Sequence, residues 1–303
     1  MSAVSLPLKF QVGARTLFVV RRRLIRVPLD LDAVLAGTPP ALPPLDRGAD
    51  GYAITSLPDE QVAALARAAG GLMPWVRQRY TRYHVDLTIG HAAYLAGLSA
   101  NTRSSVKRKT KKLAAESGGA LDIRCYRTPD EMAEFHAAAR AVSARTYQEV
   151  LLGSGLPGDE AFLRAMLAAA AAGRARGWLL FMAGQPIAYL YCPVVGTTVR
   201  YDYLGHDPAH ADLSPGTVLQ MAALADLFAE GGHRHFDFTE GEGQHKRQFA
   251  TGGVPCADLL LLRPTLANRA AILALSAFDG AMAAAKRLVL RFGLQSMARK
   301  LRR

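Results

Sequence analysis

The chain has 303 residues, 50% hydrophobic and 20% charged, which excludes a mostly disordered protein and supplies apolar material for one large domain or two. The net charge of +12 points to anionic partners: nucleic acid, an acidic membrane surface, a phosphorylated co-substrate or an acyl carrier protein. Cys125, Cys192 and Cys256 are too few and too scattered for a disulfide scaffold or a metal site, so each reads as a small core residue in a reducing, cytoplasmic setting.

Residues 1–32 read as short strands, most clearly 15–20, followed by the basic run Arg21-Arg22-Arg23. In a secretory leader the cations precede the apolar stretch, so no signal peptide is expected here. Residues 37–51 are rich in proline and glycine and read as an extended connection. A short strand at 53–56 is followed by a helix starting near Pro58-Asp59-Glu60. It carries Val62 and Leu65 and ends at Gly70-Gly71. Residues 79–87 alternate as a strand, with Tyr80, Arg82, His84 and Asp86 on one face.

Ser99 starts the most basic helix, over 99–117. Arg103, Lys107, Arg108, Lys109, Lys111 and Lys112 cover most of its circumference, and Val106 and Leu113 leave a narrow apolar stripe. Like charges at helical spacing repel, so a solvated surface or an anionic partner is expected around them. A strand at 121–126 leads into Thr128-Pro129-Asp130-Glu131, which has the pattern of a capping box and predicts a helix to about Arg145. Asp159 caps a second helix that ends at Gly173. A hairpin follows, with strands 178–183 and 186–193 around Gly184-Gln185.

Residues 197–204 alternate as one strand. Ser214-Pro215-Gly216-Thr217 then predicts a helix start, with Ser214 as N-cap and Pro215 at the first position; the helix stops at Gly231-Gly232. A strand at 235–239 opens into a polar glycine loop over 240–249. Strand, loop, helix, strand is a crossover unit, and the helix start, at the end of the first strand, is an anion site. A last strand is expected at 259–262. Beyond Arg263 the chain is an alanine-rich, basic helical tail, and residues 286–303 have the look of an interfacial amphipathic segment. No stretch reaches the ~20 apolar residues of a membrane span.

This order of elements resembles the GNAT acyltransferase fold. The resemblance is carried by Gly184-Gln185-Pro186-Ile187-Ala188, similar to the family's "G-x-P-I-A" hairpin, and by the 213–219 stretch, similar to its pyrophosphate-binding loop. Phe236-Asp237-Phe238, Gly241 and His245-Lys246-Arg247-Gln248-Phe249 resemble the C-terminal signature of the CelD-like, cellulose-biosynthesis-associated branch, which is akin to FemAB-type transferases. His245 departs from the tyrosine usual there, and the common glycine-rich Q/R-x-x-G-x-G/A loop is replaced by Ser-Pro-Gly. The resemblance covers roughly residues 98–249.

It implies an α/β (α+β) fold, a central mixed sheet flanked by helices. The domains it implies are a degenerate GNAT-like lobe at 1–97, the acyltransferase domain at 98–262 and the tail at 263–303. The implied activity is transfer of an acyl group, acetyl being the first choice, from acyl-CoA to an amine, without a metal. The acceptor would be a small molecule or a saccharide precursor.

Ser214, Pro215, Gly216 and Thr217 are the candidate donor-binding residues. Asp202 and Asp237, on neighbouring strands and able to meet in one cleft, are the candidates for amine binding or base work. Glu240, His245 and Lys246 are the alternatives from the loop. Two other readings stay open: a transferase using aminoacyl-tRNA, held by the basic helix, and a non-enzymatic module that binds nucleic acid or, through the tail, the membrane face.

Overall fold

The computed structural model describes residues 2–12, 15–146, 149 and 155–291. In chain order, β1 (Val4–Val12) and β2 (Arg15–Pro28) precede α1 (Leu31–Ala36), β3 (Gly51–Pro58), α2 (Val62–Ala68) and β4 (Met73–Asp86). Next come α3 (His91–Gly97), α4 (Ala100–Glu116), β5 (Asp122–Tyr126), α5 (Pro129–Ser143) and α6 (Glu160–Ala171). The chain continues through β6 (Ala175–Met182), β7 (Gln185–Val195), β8 (Thr198–Arg200), β9 (Tyr203–His206) and α7 (Pro215–Glu230). It closes with β10 (His235–Asp237), α8 (Gln244–Phe249), β11 (Gly252–Leu262) and α9 (Leu266–Arg291). Met1–Tyr80 with Pro255–Arg303 forms one compact unit and Thr81–Val254 the other.

In the first unit, β1 and β2 make an antiparallel hairpin, β2 runs parallel to β3, and β3 pairs antiparallel with β11. β3 begins at glycine for a reason: a Cβ on Gly51 would lie 1.9 Å from the Leu261 carbonyl oxygen, so the two backbones meet only without one. The helix expected after Arg263 is α9. Its Leu275 is fully buried against Leu8, Phe10, Leu24, Leu260 and Leu262, so this part of the basic tail is docked on a core. The amphipathic stretch expected over 286–303 falls outside the residues whose side chains are described.

The second unit carries a mixed sheet in the order β4–β10–β8–β7–β6–β5. β10 is parallel to β8 and antiparallel to β4. Both faces of this sheet are covered, which is why β6 is buried along nearly its whole length. Trp178, Leu180, Leu190 and Cys192 face one layer, where they pack with residues of α3, α4 and α7. Leu179, Phe181, Tyr189 and Tyr191 face the other, with residues of α5 and α6. The layout is the central mixed sheet flanked by helices that the sequence implies.

Local signals held where the chain could satisfy them nearby. Thr128 and Glu131 form the reciprocal capping box, with the Thr128 N–H donating to Glu131 Oε2 at 2.9 Å. Three expectations change. The strand over 197–204 is two strands, β8 and β9, broken at Tyr201-Asp202 because each half pairs differently. The strand over 235–239 stops at Asp237, and Thr239 takes a positive φ of 59°. The polar loop over 240–249 ends in α8, whose Lys246 and Phe249 are buried.

Candidate active site

β8 and β10 run side by side for three residues, Thr198–His235, Val199–Phe236 and Arg200–Asp237. The last rung is the Tyr201 N–H donating to the Asp237 carbonyl at 2.9 Å. Beyond it the strands part. Tyr203 and the rest of β9 pair with β7, from Tyr203–Tyr191 to His206–Ala188. On the other side, the Phe238 N–H turns to the Tyr83 carbonyl at 3.1 Å. Beside the first strand, past this parting, lies a cavity of about 510 Å³. Tyr201, Asp202 and His206 line it from the first strand, Gly216, Thr217 and Gln220 from α7, and His245 and Lys246 from α8.

α7 begins at this cavity, but Ser214 does not cap it as expected. Ser214 is left-handed (φ 55°, ψ 46°) and its side chain makes no capping bond. Its carbonyl instead accepts from the N–H groups of Thr217 and Val218 at 3.1 and 3.3 Å, and its own N–H donates to Ala211 at 3.1 Å. Two of the N–H groups expected to hold phosphate, those of Ser214 and Thr217, are therefore engaged within the chain. The Gly216 N–H has no acceptor among the described residues. Pro215 is buried and shapes the first turn without lining the cavity. A Cβ on Gly216 would sit 3.1 Å from Leu204 Cδ2, so glycine here also sets how closely α7 lies on β9.

The two aspartates separate. Asp202 is in the cavity, paired with Arg200 at 3.0 Å. Burial pushes its carboxyl up to about 6, against the opposing pull of Arg200. Asp237 does not reach the cavity: it is wholly buried and held by Arg82, Nη2 to Oδ2 at 2.6 Å and Nε to Oδ1 at 3.2 Å. Its Oδ1 also accepts from the Thr239 N–H at 2.8 Å. Asp237 is thus a clamp between β4 and β10 and not a base in the cleft. The sequence signal for this pairing is Arg82 on the polar face of an alternating strand.

Of the loop residues, Glu240 is exposed and supplies its backbone, with Lys246 Nζ donating to its carbonyl at 2.6 Å. Lys246 is buried, and desolvation lowers its pKa against the pull of the Glu240, Asp237 and Glu242 carboxylates. His245 stands at the cavity with its ring 6.3 Å from that of Tyr201; desolvation and the Lys246 cation lower its pKa. The loop is anchored by Glu242, whose Oε1 accepts from the Thr81 N–H at 2.7 Å.

Sequence reasoning missed Tyr201, His206 and Gln220. Gln220 is 3% exposed, and its Nε2 has no hydrogen-bond partner. A polar residue within an apolar helical run was the signal for it. None of Cys125, Cys192 and Cys256 lines the cavity, and burial pushes the Cys125 thiol up to about 12.

On the basic helix, Lys112 pairs with Asp212 at 3.2 Å, and the Arg103 guanidinium donates to the backbone carbonyls of Ala96 and Leu98. Arg103, Lys107, Arg108, Lys109 and Lys111 have no carboxylate partner among the described residues.

Residues 100–247 match the family model described as an acetyltransferase (GNAT) domain. A GNAT-like domain is present in this chain. Its fold is similar to the C-terminal DUF2156 domain of a chain assigned as a lysylphosphatidylglycerol synthetase from Agrobacterium fabrum, with a TM-score of 0.52 at 14% identity over 76% of this chain and 72% of that one. Other solved structures that match are L-PGS from Bacillus licheniformis (TM-score 0.45, 14% identity, 74% and 71% covered) and a GCN5-related N-acetyltransferase from Kribbella flavida (0.37, 15%, 72% and 71%). No curated protein matches the sequence. In the GNAT-like domain the cavity at the parting of β8 and β10 is the candidate site. Among the described residues no group of three or more His, Cys, Asp or Glu side chains is placed to hold a metal ion.

Proposed function

We propose that the GNAT-like domain transfers an acyl group from an acyl-CoA, acetyl-CoA in the first instance, to an amine. The observation that carries this is the cavity beside the strand that parts from β10 at Tyr201, with the start of α7 on its wall. The unpartnered Gly216 N–H and the positive end of the α7 dipole suit a phosphate there. When bound, the co-substrate supplies the activated acyl carbonyl. The protein's part is to orient the amine and take its proton.

Asp202 suits that work: its carboxyl is in the cavity, and at about 6 it is mostly ionised at neutral pH while still basic enough to accept a proton. His245, whose imidazole pKa is lowered by desolvation and the Lys246 cation, is the second proton acceptor at the same wall. Lys246, fastened to the Glu240 carbonyl, holds the α8 loop against the cavity. The acceptor is a cationic or neutral amine that the Asp202 carboxylate attracts. The CelD-like signature over 236–249 favours an amino sugar or other saccharide precursor.

Isothermal titration of the full chain with acetyl-CoA and longer acyl-CoAs tests the donor. Micromolar binding is expected, and no detectable binding to any of them removes the reading.

The five cations on α4 without carboxylate partners favour one alternative, a donor carried on tRNA. Five phosphate contacts would make binding fall steeply with salt. A gel shift by aminoacyl-tRNA that weakens strongly between low and physiological salt supports that donor; a flat response excludes it.

A further inference from the structure

α7 also borders a smaller opening, a slot of about 210 Å³ lined by Leu95 and Leu98 at the end of α3, Arg103, Val106 and Lys107 of α4, and Met221 of α7. Its walls are of two kinds. Leu98 and Met221 are buried and Leu95 and Val106 half-buried, and all four are apolar. Arg103 and Lys107 are exposed and cationic, and neither has a carboxylate partner among the described residues. Arg103 is fixed nonetheless: its guanidinium donates to the neutral carbonyls of Ala96, at 3.0 Å, and Leu98, which hold its charge beside the slot without cancelling it. Lys107 follows one turn later, about 6 Å along the helix axis at 1.5 Å per residue. Like charges at this spacing repel, and an anion between them relieves both. Apolar walls offer water no hydrogen-bond partners, whereas an apolar cavity of ~150 Å³ is already large enough to hold a small hydrocarbon.

We propose that this slot binds the hydrocarbon chain of a single-chain anionic amphiphile, a fatty-acid-like carboxylate, with its head group held between Arg103 and Lys107. The slot shares no lining residue with the acyl-transfer cavity, so the proposal stands whichever donor that cavity takes. Charge complementarity selects the anionic head, and the four apolar side chains select the chain. A nucleic acid satisfies only the cations, because no aromatic ring lines the slot to stack a base. A slot of this volume with two cations at its edge suits one chain and one head group, which favours a free amphiphile over a bilayer surface.

The test is calorimetric titration of the full chain with decanoate, kept monomeric, against two controls: butyrate, which has the head without the chain, and decyltrimethylammonium, which has the chain with a cationic head. Lys107→Gln removes one cation at an exposed position, and Val106→Phe fills the slot; thermal melts of both variants accompany the titrations. The wild type is expected to bind decanoate at least tenfold more tightly than either control. K107Q is expected to weaken decanoate binding about three- to tenfold with an unchanged melt, and V106F to weaken it at least tenfold. Equal binding of decanoate and decyltrimethylammonium, or of decanoate and butyrate, overturns the proposal, as does undiminished decanoate binding by K107Q. A wild type that ignores decanoate also overturns it; if that protein binds anionic vesicles or tRNA and K107Q does so more weakly, the cations serve a bilayer surface or a nucleic acid instead.

Discussion

Replacing Asp202 by asparagine keeps the shape of the side chain and removes its charge. The Asp202 carboxyl is 19% exposed, and burial holds it at about 6 where an unfolded chain would have 3.8. A raised value in an acid means that the folded protein grips the proton more tightly than the unfolded one. The group's contribution to stability is therefore complete below pH 3.8 and is lost as pH rises through about 6. By pH 8 the buried charge costs the wild type about 3 kcal/mol relative to acid conditions. Asp202→Asn escapes that cost, so its stability relative to wild type rises between pH 4 and pH 8 by about 2 kcal/mol, the pull of Arg200 being already contained in the value of about 6. Urea unfolding of both proteins at pH 4, 6 and 8 measures this. If Asp202 is the base, the same variant loses about 10²- to 10⁴-fold in kcat/KM, and the wild-type rate rises with pH through about 6. Parallel stability curves for the two proteins refute the burial argument; a fully active variant refutes the proton role.

Arg82→Met leaves Asp237 buried with its guanidinium partner gone, and is expected to cost about 3–5 kcal/mol in urea unfolding. A cost below about 1 kcal/mol would falsify the clamp. Glu230 is buried enough for desolvation to raise its pKa, yet Arg176, His233 and Arg127 together hold it down at about 2. Its stabilisation is present above pH 4.5 and lost as pH falls toward 2, so Glu230→Gln should be up to about 3 kcal/mol less stable than wild type at pH 7, with the gap closing in acid. Gly216→Val drives a side chain into Leu204 and is expected to cost about 1–3 kcal/mol in denaturation and to weaken acetyl-CoA binding. Unchanged stability would show that β9 yields there.

What could be read in advance was mostly what a few consecutive residues decide. The capping box at Thr128 and Glu131 closes within one helical turn, and its two hydrogen bonds depend on nothing distant. The hairpin around Gly184 and the helix beginning at Pro215 were legible for the same reason. Ser214 shows the limit. Serine before proline is a good N-cap in isolation, but the preceding 3₁₀ turn, with its bond from Ser214 back to Ala211, delivers the chain in a left-handed conformation from which the hydroxyl does not cap.

The composition and periodicity determined that this chain buries a mixed α/β core, carries excess positive charge and places a helix start after a strand. Those are sums over neighbours a few residues apart. Tertiary structure alone decided which aspartate faces the cavity. Asp237 is claimed by Arg82, 155 residues away in sequence, while Asp202 lines the opening where its strand keeps β7 as a neighbour and loses β10. Alternation along a strand assigns a side chain to a face. Whether that face meets an arginine or an empty space depends on which strand lies beside it, and that is set by pairings across the whole sheet.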